Sequence, residues 1–421
     1  MTWAAPTRGA AAARLYADAE ADRVVRPERY RLDPVLAVER AMRKGVEPSD
    51  FAEGWRDGVA QYLGSAAQDG RLNALGTRMT LETAASRLAA GARLRTHLRE
   101  HPGRVGSGSR TGTGSGGSGH GQAPPPIVII GGWRTGTTLL FRLLATDPRL
   151  RAPLPAELAQ PWRAAELRGE DRAAWIDRSS AAHDLLHLLN PELRAVHESG
   201  PTLPEECVLA MGTDLRNWGF SATVRLDGYT DWLAGEDLGP SYRRHRALLS
   251  ALDDGDGRRW VLKAPAHTAE LEHLIEAFPG VVIVQANRDI VETVASGASL
   301  FALFRSTYSD EVDPLDVGRF QLEQTERWMR RALAVRELPI ARRASFVDLS
   351  YDDVVRAPGA ALGAVYRAAG MDPPGDLDGF VERYHREHPR HEHGVHRYEP
   401  SDFGLRPDEV RERFDFLPSR G

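Results

Sequence analysis

The sequence predicts an α/β protein built on a doubly wound parallel sheet. Short runs of apolar, mostly β-branched residues alternate with longer stretches in which apolar residues recur at three- and four-residue spacing. This alternation of strands and helices is typical of a parallel sheet with helices on both faces. Charged or aromatic polar residues follow directly after four of the runs, and ligands of such sheets bind at the carboxyl ends of the strands.

Composition excludes several classes of protein. The 421 residues are 42% hydrophobic and 27% charged, as in a soluble globular protein. A net charge of −5 gives no reason to expect a nucleic-acid partner. No apolar stretch is long enough to span a membrane, and the N-terminus lacks a signal-peptide pattern. Cys207 is the single cysteine, which suits a reducing compartment, so we expect a cytoplasmic protein with Cys207 packed in its interior.

Three regions follow one another along the chain. Residues 1–102 have helical periodicity without a catalytic constellation, and we expect helices that pack on the main domain or on a second copy of the chain. A homo-oligomer formed through these helices is therefore possible. Residues 103–126 are rich in Gly and Ser and predict a flexible linker. Residues 127–421 predict the α/β domain.

The centre of that domain is the stretch IVIIGGWRTGTTLLFRLLAT at residues 127–146. Four apolar residues predict a buried strand, two glycines turn the chain, and leucines at four-residue spacing begin a helix. A strand, a glycine turn and a helix N-terminus direct several backbone N–H groups at one point. This geometry suits a phosphate or a sulfate.

The loop differs from that of a nucleoside triphosphatase at one decisive position. Gly131, Gly136 and Thr138 fit the pattern G-x-x-x-x-G-K-[ST], but Thr137 stands where the lysine belongs. The cation is instead Arg134, three residues earlier. A loop without the lysine is poorly suited to a triphosphate with magnesium, but its guanidinium and hydroxyls can still bind a phosphate or sulfate.

The segments after the loop predict the rest of the domain. Prolines break residues 148–161 into an irregular segment that contains Glu157, and helices are expected at 171–189, 204–218 and 229–252. These helices predict an insertion at about 160–255 that shapes an acceptor pocket. Further strands are predicted at 260–263, 281–286 and 344–349, with helices between them. Lys263, Arg288 and Tyr351 follow these strands, so they should meet Arg134 at one edge of the sheet.

The stretch WRTGTTLL resembles the 5′-phosphosulfate loop of sulfotransferases that use 3′-phosphoadenosine-5′-phosphosulfate (PAPS). Those loops have the pattern P-[KR]-[ST]-G-T-T, and Trp133 replaces the proline here. The resemblance implies a P-loop-like sulfotransferase fold. It also implies that the donor's sulfated phosphate is bound by the loop residues Arg134, Thr135, Gly136, Thr137 and Thr138.

Other motifs of a bacterial branch of these sulfotransferases occur in the expected order, namely RAPLPAEL, PEEC, RWVLKAPAH, VQANRDIVETVASGASL and HRYEPSDFGL. The resemblance implies a 3′-phosphate site at Arg288 and Ser296, which are eight residues apart, and an approach of Tyr351 to the adenine. The last motif implies a segment over the nucleotide that includes His396, Arg397 and Tyr398. The branch usually has HRDP where this chain has Asn287 to Ile290.

The chemistry that this resemblance implies is transfer of a sulfuryl group from PAPS to a hydroxyl of a small molecule, a sugar or a lipid. Arg134 and Lys263 would stabilise the charge that develops on the leaving phosphate. We expect Glu157 to be the general base, with His267 orienting the acceptor or the phosphosulfate. No metal is expected for this chemistry, or for the C-terminal histidines between residues 385 and 396.

Two other functions remain open from the residues alone. A nucleotide-dependent kinase is disfavoured by the missing loop lysine and by the lack of a clear carboxylate for magnesium. A nucleotide-binding module without catalysis would have the same loop but a decayed acceptor side.

Overall fold

Five parallel strands form a single sheet in the order β2-β3-β1-β4-β5. A computed structural model describes residues 3–102, 124–388 and 397–418. The strands are β1 (Ile127–Gly131), β2 (Leu150–Arg151), β3 (Arg259–Lys263), β4 (Val282–Asn287) and β5 (Ser345–Ser350). The predicted α/β class and the four predicted strands are confirmed. No sequence pattern predicts β2, because an edge strand of two residues is too short to have a periodicity.

In the described residues before the sheet, 3–102 and 124–126, the structure has four α-helices, as predicted for the N-terminal region. They are α1 (Ala10–Val25), α2 (Pro34–Met42), α3 (Trp55–Asp69) and α4 (Ala74–Glu100). They pack on the domain that follows: the hydroxyl of Tyr16 donates to the carbonyl oxygen of Thr307 at 2.8 Å. Val59 and Leu88 share one hydrophobic cluster with Val128 of the central strand. The helices therefore share a core with the sheet. The predicted homo-oligomer stays a prediction, and most of the predicted linker lies outside the described residues.

The crossover helix and a long helical insertion lie between β1 and β3. The crossover helix is α5 (Thr137–Ala145), and after β2 the insertion contains α6 (Pro155–Ala159), α7 (Pro161–Glu166), α8 (Gly169–Arg178), α9 (Ser180–Leu189), α10 (Leu193–Val196), α11 (Tyr229–Ala234) and α12 (Gly239–Leu252). The expected helical character of this region is confirmed apart from one segment.

The helix predicted at 204–218 is wrong. The segment contains only a short 3-10 helix at Cys207–Leu209, and a second one begins at Trp218. Gly212 and Leu215 both have positive φ, at 77° and 61°, which a right-handed helix does not allow. Asn217 instead uses its side chain to bond the carbonyl oxygens of Val208 and Met211. Local hydrogen bonds of this kind compete with helix formation.

The remaining helices complete both layers around the sheet. They are α13 (Leu271–Ala277), α14 (Ile290–Tyr308), α15 (Pro314–Glu337), α16 (Tyr351–Arg356), α17 (Pro358–Ala368), α18 (Leu377–Glu387) and α19 (Pro407–Arg413). Val128 and Ile130 point into the cluster that contains α13 residues, whereas Ile127 and Ile129 point into the cluster that contains α5 residues. Alternate residues of the central strand are thus buried on opposite faces, as in a doubly wound sheet.

The register places the strand ends at one level. Ile129 of β1 pairs with Lys263, and Gly131 pairs with Ala286 of β4, which in turn pairs with Leu349 of β5. Residues that directly follow β1, β4 and β5 therefore meet at the same edge of the sheet, together with the last residue of β3. Among the helices that the structure describes, none has the length and apolar character to cross a membrane.

Two glycines of α3 provide a test of how the N-terminal helices dock. A Cβ atom built on Gly58 would lie 1.9 Å from the backbone oxygen of Asp214, whereas one on Gly64 would have no neighbour within 4 Å. Gly58→Ala should therefore lower the free energy of unfolding by about 1–3 kcal/mol or more, because backbone must move. Gly64→Ala is the matched control in the same helix and should raise it by up to about 1 kcal/mol.

Chemical denaturation of both variants measures this difference directly. Equal effects of the two substitutions would contradict close docking of α3 on the segment that contains Asp214.

Candidate active site

The loop from Gly131 to Gly136 is held by close backbone contacts. Gly131 has φ of 137°, and a Cβ atom there would lie 2.2 Å from the backbone oxygen of Ala286. Gly136 has φ of 86°, and its Cβ would lie 2.9 Å from a methyl group of Val354. The Thr135 hydroxyl donates to the carbonyl oxygen of Gly132 at 2.9 Å inside the loop. Only glycine combines these φ values with so little space.

Arg134 lies at the exposed tip of this loop with φ of 57°, a strained value for a residue with a side chain. Its guanidinium donates to the carbonyl oxygen of Val196 at 3.2 Å. The N-terminus of α5 begins three residues later, at Thr137, so its free N–H groups and its positive dipole end lie beside this cation. The loop therefore offers an anion both a charge and backbone donors.

Trp133 anchors the loop to the neighbouring layer of helices. Its ring contacts Phe301 and Trp328, with centroids 4.9 and 5.9 Å away. A Cβ atom on Gly297 of α14 would lie 2.4 Å from the Trp133 ring, so only glycine leaves room for it. Where the resembling loops have proline, this chain uses an aromatic anchor that points away from the anion-binding atoms.

Lys263 joins the loop to a carboxylate. Its ammonium group donates to the hydroxyl of Thr138 at 3.1 Å and forms an ion pair with Glu206 at 2.5 Å. Lys263 is buried, and its two partners lie on the first turn of α5 and on the segment before the Cys207–Leu209 turn. A buried ammonium needs such partners, and here they hold its charge beside the loop.

Arg288 contacts two other predicted site residues, Tyr351 and Arg134. Its guanidinium stacks over the Tyr351 ring with 4.5 Å to the centroid and points to the carbonyl oxygen of Arg134 at 3.5 Å. It also pairs with Glu292, one turn along α14, at 3.2 Å. Ser296 lies on the second turn of the same helix and is buried. The structure therefore brings Arg134, Arg288 and Tyr351 together.

The C-terminal segment packs on the helix that carries Ser296. Tyr398 and Phe403 lie in a cluster with Val294 and Phe301 of α14. Arg397 is exposed, and His396 lies outside the described residues. Binding of nucleotide by this segment stays a prediction.

Glu157 lies in a different environment from the one that its predicted role requires. It is buried, and its carboxylate pairs with Arg172 at 2.5 Å and with Arg151 at 3.5 Å. It also accepts the N–H of Leu154 at 3.0 Å. Arg151 pairs in the sheet with Trp260, which is three residues before Lys263 and thus about 10 Å lower along the strand. The carboxylate lines a cavity of about 460 Å³ together with Arg142, Asp254 and Tyr384.

His267 does not reach the surface of the site. Its side chain is fully buried, in a 3-10 helix at Pro265–Glu270, and its Nδ1 lies 2.8 Å from the Tyr242 hydroxyl. Burial lowers the pKa of His267 to about 3. The expectation that His267 orients the acceptor or the phosphosulfate stays a prediction, and the burial of its side chain after Pro265 disfavours direct contact with either.

Sequence reasoning missed Glu206 and Thr268 as parts of the site. The Thr268 hydroxyl accepts the N–H of Gly131 at 3.3 Å, so it supports the start of the loop. Glu206 belongs to the PEEC motif, and neither the helix predicted at 204–218 nor the order of the motifs gives this carboxylate a role. Glu206 and Lys263 are 57 residues apart in the sequence, and no local pattern indicates that they are in contact.

The sequence is similar to that of a known family and to those of individual members of it. The sequence pattern of the Sulfotransferase family matches residues 125–374. The omega-hydroxy-beta-dihydromenaquinone-9 sulfotransferase Stf3 of Mycobacterium tuberculosis, and that of Mycobacterium bovis, are 26% identical over 285 residues. That match covers 62% of this chain and 66% of the relative, slightly less than two thirds of its length.

Solved structures show the same fold. Sulfotransferase STF1 from M. tuberculosis superposes with a TM-score of 0.73 at 24% identity, over 90% of this chain and 97% of that one. Sulfotransferase STF9 from Mycobacterium avium has the same TM-score at 21% identity, over 90% and 93%. The matched region contains the whole sheet and the loop at its centre. On this evidence the chain belongs to the Sulfotransferase family.

Proposed function

We propose that this protein transfers the sulfuryl group of PAPS to a hydroxyl group of an organic acceptor. The observation that supports this best is the meeting of Arg134, Lys263 and Arg288 around a phosphate-type loop that lacks the triphosphatase lysine. These cations suit a ligand with separate phosphate groups, and Tyr351 offers a ring beside one of them.

The residues divide between the two ends of the donor. The loop residues, namely Arg134, Thr135, Gly136, Thr137 and Thr138, would bind the 5′-phosphosulfate with the N-terminus of α5. Arg288 and Ser296 would bind the 3′-phosphate. The exposed Arg397 and the half-buried Tyr398 would contribute from the C-terminal segment, together with His396.

The reaction then depends on positioning and charge. The acceptor oxygen forms a bond to sulfur while the bond from sulfur to the 5′-phosphate oxygen breaks, and the hydroxyl proton passes to a base. Negative charge grows on the leaving phosphate, and Arg134 and Lys263 stabilise it. For Lys263 to contribute fully, its pairing with Glu206 has to weaken when the donor arrives, because one ammonium group is shared by two anions.

We assign the general base to Glu206 rather than to Glu157. Glu206 is half-buried and is joined to the loop through Lys263 and Thr138. A carboxylate released from that ammonium group would be next to the reacting atoms with one oxygen free. Glu157 is held by two arginines and lies lower along the sheet. The sequence-based assignment to Glu157 is the alternative that the variants below distinguish.

For the acceptor, only a chemical class can be proposed. The relative Stf3 is named for a hydroxylated menaquinone, so lipid hydroxyls are the first acceptors to test on this chain. Phenols and sugars form the second group. Incubation with labelled PAPS and an extract, followed by isolation of the labelled product, identifies the acceptor without a prior choice.

Donor choice can be tested by stabilisation. 3′-Phosphoadenosine-5′-phosphate should raise the melting temperature more than ATP with magnesium does, because Thr137 replaces the lysine of a triphosphatase. At a hundredfold excess over the dissociation constant the gain is about 2.7 kcal/mol, which corresponds to a few degrees in a protein of this size. A larger shift with ATP would favour a kinase and contradict the proposal.

Arg288→Ala should separate the two phosphates of the nucleotide. Loss of a charge-assisted bond should weaken binding of 3′-phosphoadenosine-5′-phosphate by roughly tenfold to a hundredfold. Binding of adenosine 5′-phosphate, measured by calorimetry on the same variant, should change little. Arg330→Ala is the control, because Arg330 also makes a four-residue-spaced ion pair, with Glu326, but on α15. Equal losses for both nucleotides would refute the 3′-phosphate assignment.

Two isosteric variants identify the base. Glu206→Gln should reduce turnover at saturating PAPS by about a hundredfold or more, with nucleotide binding retained. Glu157→Gln should turn over within a few-fold of the parent. If Glu157→Gln is inactive and Glu206→Gln is active, the base is Glu157.

A further inference from the structure

A buried cluster of three possible metal ligands lies behind Lys263. Cys207 is in the short 3-10 helix of the insertion, His245 is on α12, and His267 follows β3. All three side chains are buried, with exposed fractions of 0%, 2% and 0%. One ligand atom from each residue, the sulfur or a ring nitrogen, lies within 4.8 Å of the other two. Three segments that are distant in sequence thus bring a thiol and two imidazoles to one point.

Three of the four imidazole nitrogens of this cluster have no hydrogen-bond partner in the described part of the chain. Neither ring nitrogen of His245 has a hydrogen-bond partner among the described residues, and the same holds for Nε2 of His267. Buried polar atoms in native proteins are nearly always bonded, so three such nitrogens in one place require an explanation. If these three positions served packing alone, apolar side chains would be more favourable, because they have no polar atom that loses its water on burial.

The ligand types suit a metal ion. An imidazole nitrogen without a proton offers a lone pair, and His245 and His267 contribute three ring nitrogens without a hydrogen-bond partner among the described residues. The Cys207 sulfur can bind a cation once the thiol proton has left, and a bound cation favours that loss.

We propose that Cys207, His245 and His267 bind a zinc ion. Binding replaces the thiol proton, so that Cys–SH and Zn²⁺ give a zinc thiolate and one released proton, with no oxidation or reduction. Thiolate sulfur and imidazole nitrogen are the ligands that zinc prefers in proteins.

Tyr242 completes the arrangement from outside the three ligands. Its hydroxyl contacts Nδ1 of His267, so an N–H at Nδ1 can donate to the phenol oxygen and leave the Nε2 lone pair for the metal. Metal-bound histidines are commonly fixed in this way by a partner on the second nitrogen. Tyr242 lies on the same helix as His245, three residues earlier, so the two side chains are on the same face of α12.

The proposed ion would stabilise the position of the ion pair between Lys263 and Glu206. Cys207 directly follows Glu206, and His267 lies four residues after Lys263. A metal that joins Cys207 to His267 ties the two segments that carry this ion pair. The role is structural, and the inference does not depend on sulfuryl transfer as the activity.

Metal content and a spectroscopic probe test the site. Protein made without an affinity tag should contain about one zinc per chain by mass spectrometry of the metal. Cobalt(II) exchanged for zinc should give a thiolate-to-cobalt charge-transfer band. Cys207 is the only cysteine of the chain, so this band can arise at no other position. Cys207→Ser should abolish it, lower zinc retention and lower the melting temperature of zinc-loaded protein.

Histidines elsewhere provide the controls. Replacement of His391, His393 and His396 by Gln removes much of the C-terminal histidine run and should leave the zinc content and the cobalt band unchanged. His273→Gln changes a histidine that pairs with Glu270 and Asp237 outside the cluster, and it should also leave them unchanged.

The parent protein alone can overturn the proposal. Absence of zinc after purification, together with no cobalt–thiolate band, would refute it even if Cys207→Ser does not fold. Zinc that is lost only with the C-terminal histidines would show that the run binds it instead. Copper in place of zinc would refute the assignment of the ion.

Discussion

The site depends on the close approach of β1 and β4 at their carboxyl ends. Gly131 lies so near the backbone of Ala286 that no side chain fits between them. The chain must turn there, and the turn brings the N-terminus of α5 to the edge of the sheet. The contact of Trp133 with Gly297 fixes the other side of the loop. A larger residue at either glycine would move the anion-binding atoms as well as the backbone.

Around this loop, charges are paired in ways that a bound anion would alter. Lys263 contacts Glu206, and Arg288 contacts Glu292 while it stacks on Tyr351. Such pairs hold the cations in place when no ligand is bound, but each carboxylate partly neutralises the charge of its cation. A phosphate competes for the same cations more effectively than a single carboxylate does, because it presents more negative charge and more acceptor oxygens. The arrangement therefore suits a site that binds strongly charged donors and releases the product.

The N-terminal helices share a hydrophobic cluster with the sheet that carries the candidate site. A Cβ atom on Gly58 would lie 1.9 Å from the backbone oxygen of Asp214, and one on Gly76 would lie 2.0 Å from that of Tyr308, so both helices approach the backbone of the main domain closely. Because the segment with Asp214 follows the PEEC motif, these helices also support the residues beside Lys263. The N-terminal helices thus contribute to the candidate site through packing. Their apolar positions share one cluster with the central strand.

The sequence by itself determined the fold class, the central loop and the strand ends at which Arg134, Lys263, Arg288 and Tyr351 lie. These are local properties, because strand periodicity, glycine positions and the residue after a strand are all set by neighbours in the chain. The tertiary structure decided which carboxylate meets Lys263, that Glu157 lies between two arginines, and that His267 turns inward beside Cys207 and His245. Each of these contacts joins separate segments, so its geometry depends on how the helical insertion packs against the sheet, which no local pattern specifies.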